Sequence, residues 1–256
     1  MVKRKPIGTV PVLNDLRVDE ARGLVDAALR RGGGWLTPRE AQGLMAAVGI
    51  TMAAAHLTRN AGEAVAAASS LGFPVALKAI GPTLLHKTER QAVRLDLDCD
   101  HAVRDAAVEF EQRFGGELTG LLVQRMVPDG VEMLVGAVHD PTFGPLIVCG
   151  TGGVLVDLLG DSAFRIHPVT TEDAAEMIDE LKGAQLLRGY RGAPAADEAA
   201  LRDVVLRVSA LLTACPEIQE LDLNPVKVLV SGACVVDARV RVEHHAHGPT
   251  SRRVEY

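Results

Sequence analysis

Apolar positions recur along the chain with two different periods, and the changes of period mark its elements. From Val18 to Arg30 they return every three or four residues, which predicts a helix stopped by Gly32-Gly33-Gly34. Thr37-Pro38-Arg39-Glu40 carries a helix start: Thr as N-cap, Pro in the first turn and Glu at the capping-box position. Ala41, Leu44, Met45 and Val48 then form an apolar stripe that ends at Gly49. Val75–Ile80 is a β-rich run, and Val93–Asp98 alternates apolar and charged residues with the period of a half-buried strand. A helix follows with Ala102, Val103, Ala106, Ala107, Phe110 and Phe114 on one face. Leu121–Val127, Met133–Val138 and Pro145–Cys149 are further strands, separated by Pro128-Asp129-Gly130 and Asp140-Pro141 turns. Thr170–Leu181 and Asp197–Leu212 are amphipathic helices, and Val226–Val230 with Ala233–Val236 flank Ser231-Gly232, a two-residue hairpin turn. Strands and helices mixed with a hairpin point to an α+β fold with antiparallel sheets.

Composition narrows the class. With 256 residues, 48% of them hydrophobic, the chain is one large domain or two small lobes, and it is too apolar to be disordered. No apolar run approaches the ~18–20 residues that cross a bilayer, which argues against a membrane protein. A formal charge of −6 argues against nucleic acid as a partner. Cys99, Cys149, Cys215 and Cys234 lie far apart, which removes zinc-ribbon and thioredoxin-type readings. The opening MVKRKPIGTVPVLND lacks the apolar core of a secretory signal, so the expected location is cytoplasmic.

The common P-loop, dinucleotide-binding, nucleophile-elbow and zinc-protease signatures are absent, and four features remain. Lys78 stands inside the apolar strand Val75–Ile80, where it either offsets its desolvation against an anion or sits on the wet face of an edge strand. The segment Gly81–Glu89 gathers His86, Lys87 and Thr88, suited to phosphate contact with His86 as a nucleophile, or else a plain surface loop. Gly150, Thr151, Gly152 and Gly153 follow a strand and either bring backbone N–H groups to an anion or make a tight turn. Asp222 and Asn224 on one strand and Asp237 on the next are hard oxygen ligands that could meet at one magnesium ion; an Asn-Pro turn and an edge-strand aspartate are the alternatives.

Their order along the chain resembles the ATP-grasp fold, and more closely the ATP-grasp domain, or β subunit, of ADP-forming acyl-CoA synthetases such as acetate–CoA ligase. The resemblance is carried by Gly72-Phe73-Pro74-Val75-Ala76-Leu77-Lys78, Leu85-His86-Lys87-Thr88-Glu89, Val123-Gln124-Arg125-Met126-Val127 and Asp140-Pro141-Thr142-Phe143-Gly144-Pro145. It continues through Gly150–Gly153, Ala163-Phe164-Arg165-Ile166, Arg191-Gly192, Glu220–Pro225 and Val236-Asp237-Ala238-Arg239, from about Val18 to Val242. It implies two α+β lobes with ATP between them: an irregular arm (1–17), an N-terminal helical segment (18–57), lobe 1 (58–128), lobe 2 (129–243) and a tail (244–256). Lys78 would hold phosphate oxygens, the Gln124, Arg125, Met126 and Val127 strand would meet adenine through its backbone, and Glu132 would contact ribose. Asn224 and Asp237 would hold Mg²⁺ with Asp222 nearby, and His86 would relay the phosphoryl group to a second histidine. The implied reaction is acid + CoA + ATP ⇌ acyl-CoA + ADP + phosphate, on a small carboxylic acid.

Two departures stand out. The family runs H-K-[ST]-D-V-G-G-V through the histidine loop, whereas here Arg90, Gln91 and Ala92 replace V-G-G. Either Arg90 binds phosphate in compensation or the loop is stiffer. The hinge has Arg125 where glutamate is usual. The length leaves no room for the CoA-binding and second ligase domains of a complete synthetase, so a separate CoA-binding α-type subunit is expected as partner, in an oligomer. A stand-alone carboxylate–amine ligase working through an acyl phosphate, or a non-catalytic nucleotide-binding regulatory subunit, are the rival functions. His244-His245-Ala246-His247 lacks further ligands and reads as a solvated terminus.

Overall fold

In a computed structural model the described residues are 8–81, 84, 90–152 and 160–244. In chain order the elements are α1 (Val18–Arg30), β1 (Gly34–Trp35), α2 (Pro38–Ala47), β2 (Ala55–Thr58), α3 (Ala61–Leu71), β3 (Val75–Ile80), β4 (Val93–Leu97) and α4 (Asp100–Phe114). They continue with β5 (Gly120–Arg125), β6 (Val131–Asp140), β7 (Gly144–Thr151), β8 (Ser162–Ile166), α5 (Thr171–Asp179) and α6 (Ala184–Leu187). The last are α7 (Glu198–Ala214), β9 (Ile218–Val228), β10 (Ala233–Val235) and β11 (Ala238–Val242). The chain divides into two compact units, Met52–Gly130 and, from both sides of it, Met1–Thr51 with Val131–Tyr256.

The smaller unit is an antiparallel sheet in the order β2-β5-β3-β4. Val75, Leu77 and Ala79 of β3 and Leu121 and Val123 of β5 face one side, where Ala64 and Ala68 of α3 and Val103, Ala107 and Phe110 of α4 cover them. The strand period of two therefore sends Ala76, Lys78, Leu122 and Gln124 to the opposite side. The alternation expected over Val93–Asp98 breaks at Asp96, which has a left-handed backbone (φ 55°), and the β3–β4 register shifts there.

The larger unit is an antiparallel sheet of seven strands, β1-β11-β9-β6-β7-β8, with β10 also on β9. Met133, Val135, Ala137, Ile147, Cys149, Leu221, Leu223 and Val240 are buried, and α7 packs with Leu201, Val205, Val208 and Leu211 inside. The capping box expected at Thr37 is present, with Thr37 accepting from the Glu40 N–H and Glu40 accepting from the Thr37 N–H. The N-terminal helical segment is built onto this sheet through the β1–β11 pairing. The irregular arm is pinned to it: Thr9 accepts from the Thr171 N–H, and Asp15 pairs at 2.8 Å with Arg207, which also donates to the Val48 carbonyl.

The β9–β10 turn corrects the expected hairpin. Val228 pairs with Ala233, and the Leu229 N–H donates to the Gly232 carbonyl, so the tip is Val230-Ser231, one residue earlier than Ser231-Gly232. Asp197 at the start of α7 holds this turn from outside: its N–H donates to the Leu229 carbonyl and its carboxylate accepts the Gly232 N–H at 2.8 Å.

Candidate functional site

Lys78 is 6% exposed and lies on β3, with Leu122 of β5 on one side and Val93 of β4 on the other. The edge-strand reading is thereby overturned: a strand paired on both sides has no wet edge. Gln124, 3% exposed, is in register with Ala76 of β3 and Ala55 of β2, so it shares Lys78's sheet face one pairing step away. A buried ammonium beside a buried amide gives this face two polar groups that an anion or a polar ligand could use.

The segment after Gln124 is partly committed to the sheet. The Arg125 N–H donates to the Ala54 carbonyl at 2.9 Å and the Met126 N–H to the Pro74 carbonyl at 3.1 Å. Carbonyl oxygens keep a second lone pair, so a base meeting this segment would find its carbonyls rather than those two donors. The Arg125 side chain is exposed.

His86 and Gly153 lie outside the described residues, but the residues that follow the histidine segment do not. Gln91 has φ 53°, a left-handed backbone that costs a non-glycine residue about 1 kcal/mol or more. It is held there by the Arg113 guanidinium, donating to its Oε1 at 3.1 Å, and by Arg94, donating to its carbonyl at 3.2 Å. Arg90 pairs with Glu117 at 3.0 Å and lies over the Phe114 ring at 5.8 Å. Of the two fates expected for Arg90, the geometry favours a fixed loop root over a phosphate ligand.

In the larger unit, Glu132 is in register with Lys227, and its carbonyl accepts the Gly152 N–H at 2.8 Å. The Thr151 N–H donates to the Asp161 carbonyl at 3.1 Å. These two amides serve the strand, so the expectation that they meet an anion is corrected for Thr151 and Gly152. A Cβ on Gly152 would lie 2.7 Å from the Met133 carbonyl oxygen, and one on Gly150 2.9 Å from that of Asp161. Close backbone approach thus explains both glycines without a ligand.

Asp161, which sequence reasoning missed, anchors this corner: its carboxylate accepts the Lys182 and Gly183 N–H groups at 2.9 and 2.8 Å. Its only signal in the chain is that it follows the glycine-bearing strand. Thr151 is 2% exposed, and its hydroxyl has no hydrogen-bond partner among the described residues. Thr151→Val is therefore expected to stabilise the chain by about 1 kcal/mol in urea unfolding, with ATP affinity unchanged. A tenfold loss of affinity would instead make the hydroxyl a ligand contact.

The three candidate oxygen ligands lie on β9 and on the link that leads into β11. The Asn224 N–H donates to the Asp237 carbonyl at 3.1 Å, just beyond the pairings Leu223–Ala238 and Asp222–Arg239. Alternation puts Asp222 on the same sheet face as Asn224, opposite the buried Leu221 and Leu223. Burial pushes the Asp222 carboxyl above its usual range; Arg239 opposes this, while Asp237 and Glu220 add to it. A cation there would relieve the repulsion between carboxylates. Among the described residues no group of three or more His, Cys, Asp or Glu side chains could hold a metal. Two carboxylates and one amide oxygen suit magnesium, which takes few protein ligands and completes its shell with phosphate oxygens and water. The plain Asn-Pro turn does not survive, since Asn224-Pro225 lies within β9; Asp237 lies in the short link between β10 and β11, in neither strand.

The family model of the ATP-grasp domain matches residues 27–242. The chain is 41% identical over 226 residues, 87% of its length, to acetate–CoA ligase (ADP-forming) I of Archaeoglobus fulgidus, and spans 33% of that protein. Against the beta subunit of acetate–CoA ligase (ADP-forming) I from Pyrococcus furiosus it is 35% identical over 229 residues, covering 88% of this chain and 98% of that one. The dinucleotide-forming acetyl-coenzyme A synthetase 1 of Ca. Korarchaeum cryptofilum superposes with a TM-score of 0.81 at 36% identity, covering 87% of this chain and 100% of the matched chain. That protein has been solved with coenzyme A and Ca-AMPCP, and with coenzyme A and Mg-AMPPCP. With two antiparallel sheets in two α+β units, and with these matches along nearly all its length, the chain belongs to the ATP-grasp family, in the β-type branch of the ADP-forming acyl-CoA ligases.

Proposed function

We propose that this chain is the nucleotide-handling part of an ADP-forming acyl-CoA ligase, joining a small carboxylic acid to CoA with a CoA-binding α-type partner. The observation that carries the reading is the Asn224–Asp237 pair across β9, with Asp222 and Arg239 in register beside it, in a chain that matches a separate beta subunit almost end to end. Bound Mg²⁺ would supply charge neutralisation for the transferring phosphoryl group. Asn224 and Asp237 would hold it, and Asp222, already offset by Arg239, would stand behind them.

Lys78 would bind phosphate oxygens, the carbonyls of Gln124–Val127 would meet adenine, and Glu132 would contact ribose. His86 would accept the phosphoryl group from ATP through a ring nitrogen, releasing ADP, and pass it to a histidine of the partner. Phosphoryl transfer asks for positioning and electrostatics more than for covalent chemistry by the protein, and the side chains named in each unit are of the types that supply these.

The test is thioester formation from acid, CoA and Mg-ATP by the chain alone and with a CoA-binding α-type subunit from a related enzyme. Acyl-CoA is expected only from the mixture. Comparable turnover by the chain alone overturns the need for a partner. Formation of an amide from the acid and an amine, with His86→Asn fully active, would establish the amine-ligase alternative.

A further inference from the structure

The stretch Arg90–Val93, which leads out of the histidine segment into β4, is more firmly held than a loop exit requires. Ala92 is fully buried in the core of the smaller unit, and its carbonyl accepts the Ala79 N–H at 2.8 Å. Ahead of it, three arginines gather around two rings at the end of α4: Arg90 and Arg113 over Phe114 at 5.8 and 5.4 Å, and Arg94 over Phe110 at 5.3 Å. Each arginine has a second hold. Arg90 pairs with Glu117, Arg94 with Glu109, and Arg113 donates to Gln91. In the middle stands Gln91 with its left-handed backbone, where the resemblance has the first of two glycines.

A glycine there would adopt this conformation freely and many others besides. Gln91 adopts it against its preference, and only because its side chain and carbonyl are both gripped. The substitution therefore does not merely remove freedom. It comes with partners, Arg113 and the Arg90–Glu117 pair, that select one exit geometry. The Arg90 guanidinium is already engaged by a carboxylate and a ring face, which favours the holding role over a phosphate contact.

We propose that Arg90 and Gln91, gripped by Arg113, Phe114 and Glu117, are positioning residues that set where the His86-bearing segment leaves β4, in place of a glycine hinge. The inference rests on the reading of His86 as phosphoryl acceptor given above. In it the arginine–phenylalanine cluster touches neither nucleotide nor phosphate; it acts through the backbone that carries the histidine. Loosening it is expected to lower the rate of transfer rather than nucleotide binding.

The test is rapid-quench labelling of His86 from Mg-[γ-³²P]ATP, with amide exchange of residues 84–92 read in parallel, for the unaltered chain, Arg90→Ala, Arg90→Lys and Gln91→Gly. Arg90→Ala is expected to slow labelling at least tenfold at saturating ATP, leave the ATP KM within twofold, and speed exchange of the segment at least tenfold. Arg90→Lys, which keeps the charge for Glu117, restores at least part of the labelling rate. Gln91→Gly is expected to slow labelling threefold or more with an unchanged melting temperature, and it decides the matter if Arg90→Ala does not fold. Labelling at the unaltered rate in the folded variants overturns this inference alone, as does a loss confined to KM. No label at His86 in the unaltered chain overturns the phosphohistidine reading and this inference with it.

Discussion

Asp237→Ala is expected to lower Mg-ATP-dependent phosphoryl transfer by about 10²–10³-fold, a loss comparable with removing one preorganised charge-stabilising group from an active site. The Asn224 N–H donates to the Asp237 carbonyl, and on the proposed reading removal of the Asp237 carboxylate leaves only the Asn224 amide oxygen and Asp222 to hold the cation. Asp222 is a poor substitute. Its carboxyl is already disfavoured as an anion by burial, and Arg239 stands in register with it as a counter-charge.

The magnesium concentration for half-maximal rate should therefore rise at least tenfold in Asp237→Ala. In Asp222→Asn it should move only a few-fold, because that change removes a buried carboxylate whose charge Arg239 offsets. Titrating Mg²⁺ at fixed ATP for both variants separates the two roles. Equal magnesium dependence in the unaltered chain and Asp237→Ala would remove Asp237 from the metal site, and a larger effect at Asp222 would exchange the roles of the two aspartates.

The elements most legible in the amino-acid order are those whose own residues decide them. The helix Val18–Arg30 is bounded as expected, because its stripe and the following glycines suffice, and the second helix starts at a capping box made by two residues three apart. The elements that went unnoticed are fixed from outside. β1 is two residues long and exists through its pairing with β11, and Ala55–Thr58 has no alternation of its own. Helix α3 is a run of alanines and serines whose buried face, Ala64, Val65 and Ala68, differs little in size from its exposed one.

The same division runs through the site. Residue types alone single out Lys78, Asp222, Asn224 and Asp237 as candidates, since a lysine or two acids in or beside apolar strands are conspicuous, and the resemblance adds Gln124. Strand order was not available from the chain, so an interior strand could not be told from an edge at Lys78. Nor could the fate of an amide: only the fold shows that the Thr151 and Gly152 N–H groups are taken by Asp161 and Glu132. Gln91 is the intermediate case. Its replacement of a glycine was visible, and its left-handed backbone gives that replacement a physical consequence.

Lys78→Met is expected to reduce ATP-dependent transfer by about 10²–10³-fold while changing the unfolding free energy of the smaller unit by less than about 2 kcal/mol. The argument turns on what a buried ammonium is for. Taking such a charge out of water costs several kcal/mol before its partners compensate. Methionine has the same unbranched reach and fits a strand position that is 6% exposed, so it spares that cost while giving up the partners' return. The two contributions to stability oppose each other, and the net change is small. On the proposed reading nothing opposes the loss in catalysis: the neighbours of Lys78 in register, Leu122 and Val93, carry no positive charge to replace it. Lys78→Arg should fail to restore the rate, because a planar guanidinium cannot occupy the volume of an ammonium in a strand flanked on both sides. Urea unfolding followed by amide hydrogen exchange of the smaller unit, which has no tryptophan or tyrosine, set beside single-turnover transfer, distinguishes the outcomes. Equal rates with a large loss of stability would make Lys78 a structural residue, and a large loss of rate at nearly constant stability would make it part of the phosphate site.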